Sequence, residues 1–177
     1  MAVVTEGRLF QGAHGRAGEI DRIPVASTSS RGGLARFFET VDDFTLTQLA
    51  RQHGIRASSG LEALESAMPR EPDADNAGFI QEYARRIATG LAVPASLLDP
   101  EAIILCGELL KAGGNRLCSL VARELALLVA QPPKVLLSAV EGDAVVAGAL
   151  DAAVERAQLA LLKSVDMDGL LGPHATG

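Results

Sequence analysis

The sequence predicts an α/β fold with a mixed sheet flanked by helices. The second half of the chain alternates short apolar runs with helical segments, which is typical of parallel strands joined by helical crossovers. The first residues contain two short β-type runs around Glu6-Gly7, which indicate an antiparallel hairpin. Of the 177 residues, 48% are hydrophobic, which is enough to build a core, although only 3% are aromatic.

The N-terminal region is predicted to consist of extended segments, turns and a polar loop. In order, these are Ala2–Thr5, Arg8–Gln11, Ile23–Val25 and the loop 26–33. Between the hairpin and the third segment, Gly12, Gly15 and Gly18 recur at every third position, directly before Glu19. Clustered glycines indicate positive φ angles or a close backbone approach. We therefore expect another group to approach the chain here.

The middle of the chain is predicted to be helical. A helical turn at Leu34–Glu39 precedes helices at Thr45–His53, closed by Gly54, and Leu61–Met68, stopped by Pro69. From Asn76 an apolar residue recurs every four positions, at Phe79, Tyr83, Ile87 and Leu91, which is typical of core or dimer packing. Pro94 is expected to kink this helix or end its regular part.

The C-terminal part is predicted to form two buried strands, each followed by a helix. The strands are 102–106 and 134–140; the first helix starts at Gly107, breaks at Gly113-Gly114 and resumes to about Ala130, and the second runs from Ala144 to about Leu162. We assign residues 1–165 to one domain and expect 166–177 to be a loose tail.

Composition argues against several classes of function. The formal charge of −6 disfavours contact with phosphate backbones, so we expect no direct nucleic-acid contact. Charges and paired prolines interrupt the apolar stretches, so we expect no membrane insertion. Two cysteines and no signal-like start favour a reduced, cytoplasmic setting. Residues 45–64 superficially resemble a helix-turn-helix, but the second helix carries Glu62 and Glu65 and no Lys or Arg after Arg56. Two helices packed on the sheet are therefore the better interpretation.

Three ordered segments resemble the ROK family (repressors, open reading frames and sugar kinases) of the actin-like ATPase superfamily. GAHGRAGEI at 12–20 is similar to the family's Gly-Ala-x-Gly-x-Ala-Gly-Glu-Ile signature, with Asp21 and Arg22 in place of its Gly-His. LLDPEAIILCGELLKAGG at 97–114 and VEGDAVVAGAL at 140–150 resemble later family segments. The resemblance covers roughly residues 2–163 and implies the C-terminal lobe of a ribonuclease-H-like fold.

The resemblance implies a set of site residues. Glu19 corresponds to a glutamate that accepts hydrogen bonds from sugar hydroxyls, with Gly15, Gly18 and Arg22 beside it; the alternative is that Glu19 caps a turn. Glu39 corresponds to a second sugar-contacting glutamate; the alternative is a solvated charge at a helix end. The family's nucleotide site corresponds to a region near Gly107, Gly113 and Gly114, with Cys106 in place of a glycine. We assign no cofactor-binding residue there.

The family's zinc site is expected to be lost, and we expect no cofactor. The positions of its ligands, one histidine and three cysteines, correspond to Arg22, Ser30, Gly32 and Phe37. None of these can replace its counterpart as a zinc ligand.

The kinase machinery of the family would lie upstream of this sequence. Its phosphate loop, its Asn-Asp pair and a Gly-Thr-Gly strand find no counterpart here, so we expect no catalysis by the chain alone. Without that strand, two strand edges lose their partners. We expect either that the hairpin pairs directly with Ile103–Cys106 or that a second subunit or fragment fills the gap.

The leading functional hypothesis is the C-terminal sugar- or effector-binding and oligomerising portion of a ROK-type transcriptional regulator, without its DNA-binding domain. The alternative is the C-terminal lobe of a ROK sugar kinase that needs its N-terminal half. The resemblance implies a sugar or sugar phosphate as ligand and a homodimer or larger assembly.

Overall fold

A computed structural model describes residues 1–26, 33–68, 74–140, 142 and 144–170, with side chains omitted at 74–76, 144–145 and 164–170. The chain divides into two compact units, Met1–Ser138 and Ala139–Gly177. The first contains all strands and five helices of the described residues, and the second contains one helix. None of the described helices is both long and apolar enough to cross a membrane.

The described strands form three separate two-stranded sheets. They are the antiparallel pairs β1 (Val4–Thr5) with β2 (Arg8–Leu9) and β3 (Pro24–Ala26) with β4 (Leu34–Arg36), and the parallel pair β5 (Ala102–Leu105) with β6 (Lys134–Leu137). The predicted hairpin and parallel pair are confirmed, as is the α/β fold class. Strands of both orientations are present, but within the described residues no single mixed sheet joins them, and β5 pairs with β6 rather than with the hairpin.

Six helices lie in the described residues. They are α1 (Phe37–Val41), α2 (Asp43–Gln52), α3 (Gly60–Ala67), α4 (Ala74–Leu98), α5 (Glu108–Ala126) and α6 (Ala144–Leu170). The prediction of a helical turn over 34–39 was wrong for its first half. Residues 34–36 are a strand because they pair with β3, Val25 lying opposite Ala35.

Helix α4 continues through Pro94 to Leu98. A proline inside a helix removes one hydrogen bond and costs roughly 3 kcal/mol. Leu91 and Ala95 on either side of Pro94 are buried, and burial of an apolar helix face stabilises a helix more than local propensity does. Of the two outcomes expected at Pro94, a kink or an end of the regular helix, the end is therefore not observed.

Helix α5 contains the predicted break. Gly114 has φ 56° and ψ −160°, which is not helical, and helical residues continue on both sides. Helix α6 extends beyond its predicted end near Leu162. Residues 171–177 of the predicted tail lie outside the described residues.

The core of the first unit lies between helices α2, α3, α4 and α5. Its fully buried large side chains come from all four helices: Leu46, Leu64, Phe79, Ile80, Leu117, Val121 and Leu125. The stripe predicted from Phe79 to Leu91 is part of this core. Helices α2 and α3, the helix-turn-helix look-alike, pack mainly against each other, α2 also against α1 and α3 also against α5, so among the described elements their main partners are helices and not the expected sheet.

Only one face of the parallel pair is covered by the core. Ile103 and Val135 pack against the core, whereas Ile104 is 63% exposed and Leu136 is 47% exposed. Parallel sheets in proteins are usually covered on both faces. The β5–β6 pair therefore presents an apolar face to solvent within this unit.

Candidate functional site

The glycine-rich segment is shaped by the chain itself. Gly12, Gly15 and Gly18 have φ of 69°, 70° and 87°, the left-handed region that glycine favours. A β-carbon at Gly18 would lie 2.7 Å from the carbonyl oxygen of Met1. The group that approaches this segment is therefore the N-terminal backbone.

Glu19 lies at a small, largely apolar cavity. The cavity has a volume of about 240 Å³ and is lined by residues of the glycine-rich segment and the end of α4: Met1, Arg16, Gly18, Glu19, Ile20, Ile23, Val93, Pro94, Leu97 and Leu98. Gly15 and Arg22 do not line it. Arg22 is exposed, and its Nε lies 3.9 Å from Oδ2 of Asp21.

Glu39 lies at a different and larger cavity, of about 360 Å³. Its lining comes from β3, the residue before β4, α1, α2 and α4: Val25, Ala26, Gly33, Glu39, Thr40, Thr45, Glu82, Arg85, Arg86 and Thr89. The two glutamates assigned to sugar binding from the sequence thus line different cavities. We call the larger space the Glu39 cavity.

Glu39 has a structural role as well as a position at the cavity. Its Oε2 accepts a hydrogen bond of 2.9 Å from the backbone N–H of Arg36, at the start of α1. A carboxylate has about four acceptor positions, so this single bond leaves it able to accept hydrogen bonds from a ligand. The two interpretations of Glu39 are therefore compatible.

A cluster of three charged residues on α4 forms one wall of the Glu39 cavity. Nε and Nη2 of Arg85 donate to Oε2 and Oε1 of Glu82, each at 2.8 Å. Nε of Arg86 donates to Oε1 of Glu82 at 2.9 Å. Burial alone would raise the pKa of Glu82, but the hydrogen bonds from the two arginines more than offset it and lower that pKa. Glu82 is therefore a carboxylate at neutral pH.

Arg86 also connects α4 with α1. Its Nη1 donates to the carbonyl oxygen of Thr40 at 3.4 Å. One helical turn earlier, the hydroxyl of Tyr83 lies 3.4 Å from the carbonyl oxygen of Val41. Burial, with contributions from Asp42 and Asp43, raises the pKa of Tyr83. These contacts hold the helix that carries Glu39 against the arginine pair.

Three threonine hydroxyls add to the polar lining. The Oγ1 atoms of Thr40, Thr45 and Thr89 donate to the carbonyl oxygens of Phe37, Glu39 and Arg85 at 2.7–2.8 Å. A hydroxyl that donates its only proton still has two lone pairs. The cavity thus combines acceptors on threonine and glutamate with guanidinium donors.

The sequence analysis missed the residues on α4. Glu82, Arg85 and Arg86 are spaced i, i+3 and i+4, which is the ordinary pattern of ion pairs on a solvated helix face. No motif distinguishes them from such a face. Only the packing of α1 beside α4 turns this face into a cavity wall.

The glycines assigned to the nucleotide region lie around the start of α5. Gly107, with φ 109°, precedes the helix, Gly114 interrupts it, and a β-carbon at the buried Gly113 would lie 2.3 Å from Cδ2 of Leu117. None of the three lines the Glu19 or the Glu39 cavity. Cys106, beside Gly107, is exposed.

The positions that correspond to the family's zinc ligands differ in their exposure to solvent. Phe37 is buried and Arg22 is exposed, while Ser30 and Gly32 lie outside the described residues. Among the described side chains, no group of three or more His, Cys, Asp or Glu is placed to hold a metal ion. The loss of the zinc site stays a prediction.

Comparisons with known proteins agree on one family. A sequence model described as "ROK family" matches residues 1–156. No curated protein sequence matches the chain significantly. Similar solved structures include a candidate sugar kinase from Cytophaga hutchinsonii, with a TM-score of 0.63 and 16% identity over 80% of this chain and 50% of that one.

Two further structures have the same fold. One is a ROK family transcriptional regulator described as a homologue of the E. coli MLC protein, with a TM-score of 0.62 and 20% identity over 77% of this chain and 38% of that one. The other is a ROK family protein from Streptococcus pneumoniae in complex with sucrose, with a TM-score of 0.58 and 17% identity over 78% and 48%. The chain spans about half the length of these structures, or less.

Proposed function

The chain belongs to the ROK family, and from this premise we propose that it is the C-terminal sugar- or effector-binding and oligomerising portion of a ROK-type transcriptional regulator. The Glu39 cavity is the effector site in this proposal. Glu19, which lies at the other cavity, is not part of it.

The observation that carries the proposal is the composition of the Glu39 cavity. Sugar hydroxyls both donate and accept hydrogen bonds, so a sugar site needs acceptors and donors together. Glu39 and the threonine oxygens are acceptors, and the guanidinium groups of Arg85 and Arg86 are donors. A volume of about 360 Å³ is in the range of small-molecule sites. The sucrose bound to the pneumococcal relative supports a sugar as the ligand class.

Departures from the family pattern support a regulator. In the resemblance, Arg22 and Phe37 correspond to zinc ligands, and Cys106 corresponds to a glycine near the nucleotide site. Phosphoryl transfer requires a held nucleotide, whereas an effector site requires only selective binding, so the departure at Cys106 is the one that favours a regulator. A cytoplasmic setting and the absence of direct DNA contact are parts of the same proposal.

The exposed face of the β5–β6 pair supports oligomerisation or docking of a separate fragment. Ile104 and Leu136 are apolar and exposed there, and a two-stranded sheet is marginal by itself. A second subunit or a separate fragment is the proposed partner of this pair, as it is for the open strand edge expected from the sequence. Light scattering of the purified chain tests the proposed homodimer.

A C-terminal lobe of a ROK sugar kinase is the alternative, favoured by the similarity to the Cytophaga structure. Sugar-dependent formation of ADP from Mg-ATP by the purified protein would favour this alternative. Catalysis by the chain alone is not expected, because no phosphate loop or catalytic aspartate has been identified in it.

A thermal-shift titration with glucose, xylose, N-acetylglucosamine and their phosphates tests the effector site. A ligand at about one hundred times its Kd stabilises the folded state by about 2.7 kcal/mol, which corresponds to roughly 5–10 °C for a chain of this length. Glu39→Gln should abolish the shift, because glutamine keeps one acceptor for Arg36 but loses the charge.

Glu19→Gln is the matched control, since it makes the same change at the other cavity. It should leave the shift unchanged. A shift lost in Glu19→Gln and kept in Glu39→Gln would refute the assignment of the effector to the Glu39 cavity. No shift with any sugar, in a protein that unfolds cooperatively, would refute sugar binding by this chain.

A further inference from the structure

Among the described residues that line the Glu39 cavity, the charges cancel. Arg85 and Arg86 contribute two positive charges, and Glu39 and Glu82 contribute two negative charges. Both arginines donate to the same carboxylate, that of Glu82, at 2.8–2.9 Å. An arginine pair that could clamp an anion is therefore already engaged by a carboxylate of its own helix, and Glu39 of α1 balances the second positive charge.

The neutralisation is stronger than that of an ordinary surface pair. The side chains of Glu82 and Arg86 are only 27% and 25% exposed, and charges partly removed from water attract each other more strongly. Arg85 is 58% exposed, so for this residue the two-bond geometry is the main argument. Arg85 binds Glu82 through two parallel hydrogen bonds, the geometry in which arginine recognises carboxylate or phosphate best. A phosphate group could take that edge of Arg85 only by displacing Glu82, and at the remaining N–H groups it would lie beside the Glu82 carboxylate.

A hydroxyl group meets no such competition. The bonds to Glu82 use two of the five N–H groups of Arg85 and one of those of Arg86. A sugar hydroxyl can accept from a remaining N–H and donate to Glu39 while the Glu82 contacts stay in place. A phosphate would instead bring negative charge beside both carboxylates.

We propose that Glu82 is a specificity-determining residue that excludes phosphorylated ligands from the Glu39 cavity and so restricts it to uncharged, polyhydroxylated ligands. The proposal deepens the proposed function and, for its sugar arm, rests on it. Removal of the Glu82 charge should turn the arginine pair into an anion site.

The first experiment needs no sugar. Binding of inorganic phosphate is measured by calorimetry on the full chain as wild type, as Glu82→Gln and as Glu65→Gln. Glu82→Gln should bind phosphate at least ten-fold more tightly than the wild type, with an affinity that falls as salt rises. Glu65, an exposed residue of α3, is the control for the change in net charge, and Glu65→Gln should behave as the wild type.

Two results of this experiment would overturn the proposal. One is phosphate binding by the wild type as tight as by Glu82→Gln. The other is no gain of phosphate affinity in a Glu82→Gln protein whose circular dichroism is that of the wild type. If Glu82→Gln does not fold, Glu82→Asp, which keeps the charge, is compared with the wild type. Both should then exclude phosphate, and phosphate binding by either of them overturns the proposal.

The second experiment separates this proposal from the proposed function. Glucose and N-acetylglucosamine are compared with their 6-phosphates on the wild type, where each free sugar should bind at least ten-fold more tightly than its phosphate. Tighter binding of a sugar phosphate would overturn the selectivity and keep the effector site. No sugar binding together with a gain of phosphate affinity in Glu82→Gln would overturn the effector site and support the role of Glu82.

Discussion

Gly90 on α4 allows α1 to pack closely, and its replacement by alanine is the sharpest test of this part of the structure. Gly90 is buried against the ring of Phe37, the first residue of α1. A β-carbon at residue 90 would lie 2.1 Å from Cε2 and 2.2 Å from Cδ2 of that ring. Because carbon atoms in contact lie roughly 3.5–4.0 Å apart, the ring or the helix has to move by about 1.5 Å.

The expected stability change of Gly90→Ala is a difference of two effects. Alanine stabilises a helix interior by about 0.5–1 kcal/mol relative to glycine. Overpacking of a close-packed site costs about 1–3 kcal/mol, and the short contacts with a buried ring place this site in the upper part of that range. We therefore expect a net loss of about 1–2 kcal/mol, or roughly 2–8 °C in Tm.

Thermal and urea unfolding followed by circular dichroism measure this loss. Gly148→Ala in α6 is the control, since its β-carbon would meet nothing within 4 Å, and it should increase helix stability by about 0.5–1 kcal/mol. Phe37→Leu combined with Gly90→Ala should lose less stability than the sum of the single changes. A Gly90→Ala protein as stable as the wild type, or strict additivity in the double variant, would refute the reasoning.

Three further predictions concern other parts of the first unit. Gly18→Ala should lower Tm, because its β-carbon would lie 2.7 Å from the carbonyl oxygen of Met1 and its φ is 87°; an unchanged Tm would contradict this. Because the pKa of Tyr83 is raised in the folded protein, the unfolded chain loses the phenol proton first, and stability should fall as pH rises above about 10. Urea titrations at several pH values measure this fall, which should be smaller in Tyr83→Phe. The pKa of Glu82 is lowered in the folded protein, so its effect on stability depends on pH in the opposite direction. Its contribution to stability is complete above the ordinary pKa of a glutamate and is lost as pH falls through the folded pKa. The wild type should therefore lose stability more steeply in acid than Glu82→Gln, and parallel acid curves would contradict this.

Several elements were predictable from the sequence because their signals are local. The stripe from Phe79 to Leu91 matches one helix face, and these residues are buried in α4. The break at Gly114 needs only a residue that tolerates positive φ. The parallel pair of β5 and β6 follows from two short apolar runs separated by a helix.

Other elements depended on contacts between distant residues. Residues 34–36 became a strand by pairing with β3, and α4 passed through Pro94 because residues on both sides of it are buried. The strands of both orientations were predicted, but their arrangement in separate sheets was not. Local patterns do not contain the partner that decides each of these outcomes.

The candidate site shows the same division. The sequence by itself determined the family, the glycine geometry before Glu19 and the candidacy of Glu39, because these depend on residue type and spacing. Only the tertiary structure showed that Glu19 and Glu39 line different cavities and that Glu39 shares its cavity with the arginine pair of α4. The physical reason is that a helical ion-pair pattern is the same on a solvated face and on a cavity wall, and only the packing of α1 against α4 distinguishes them.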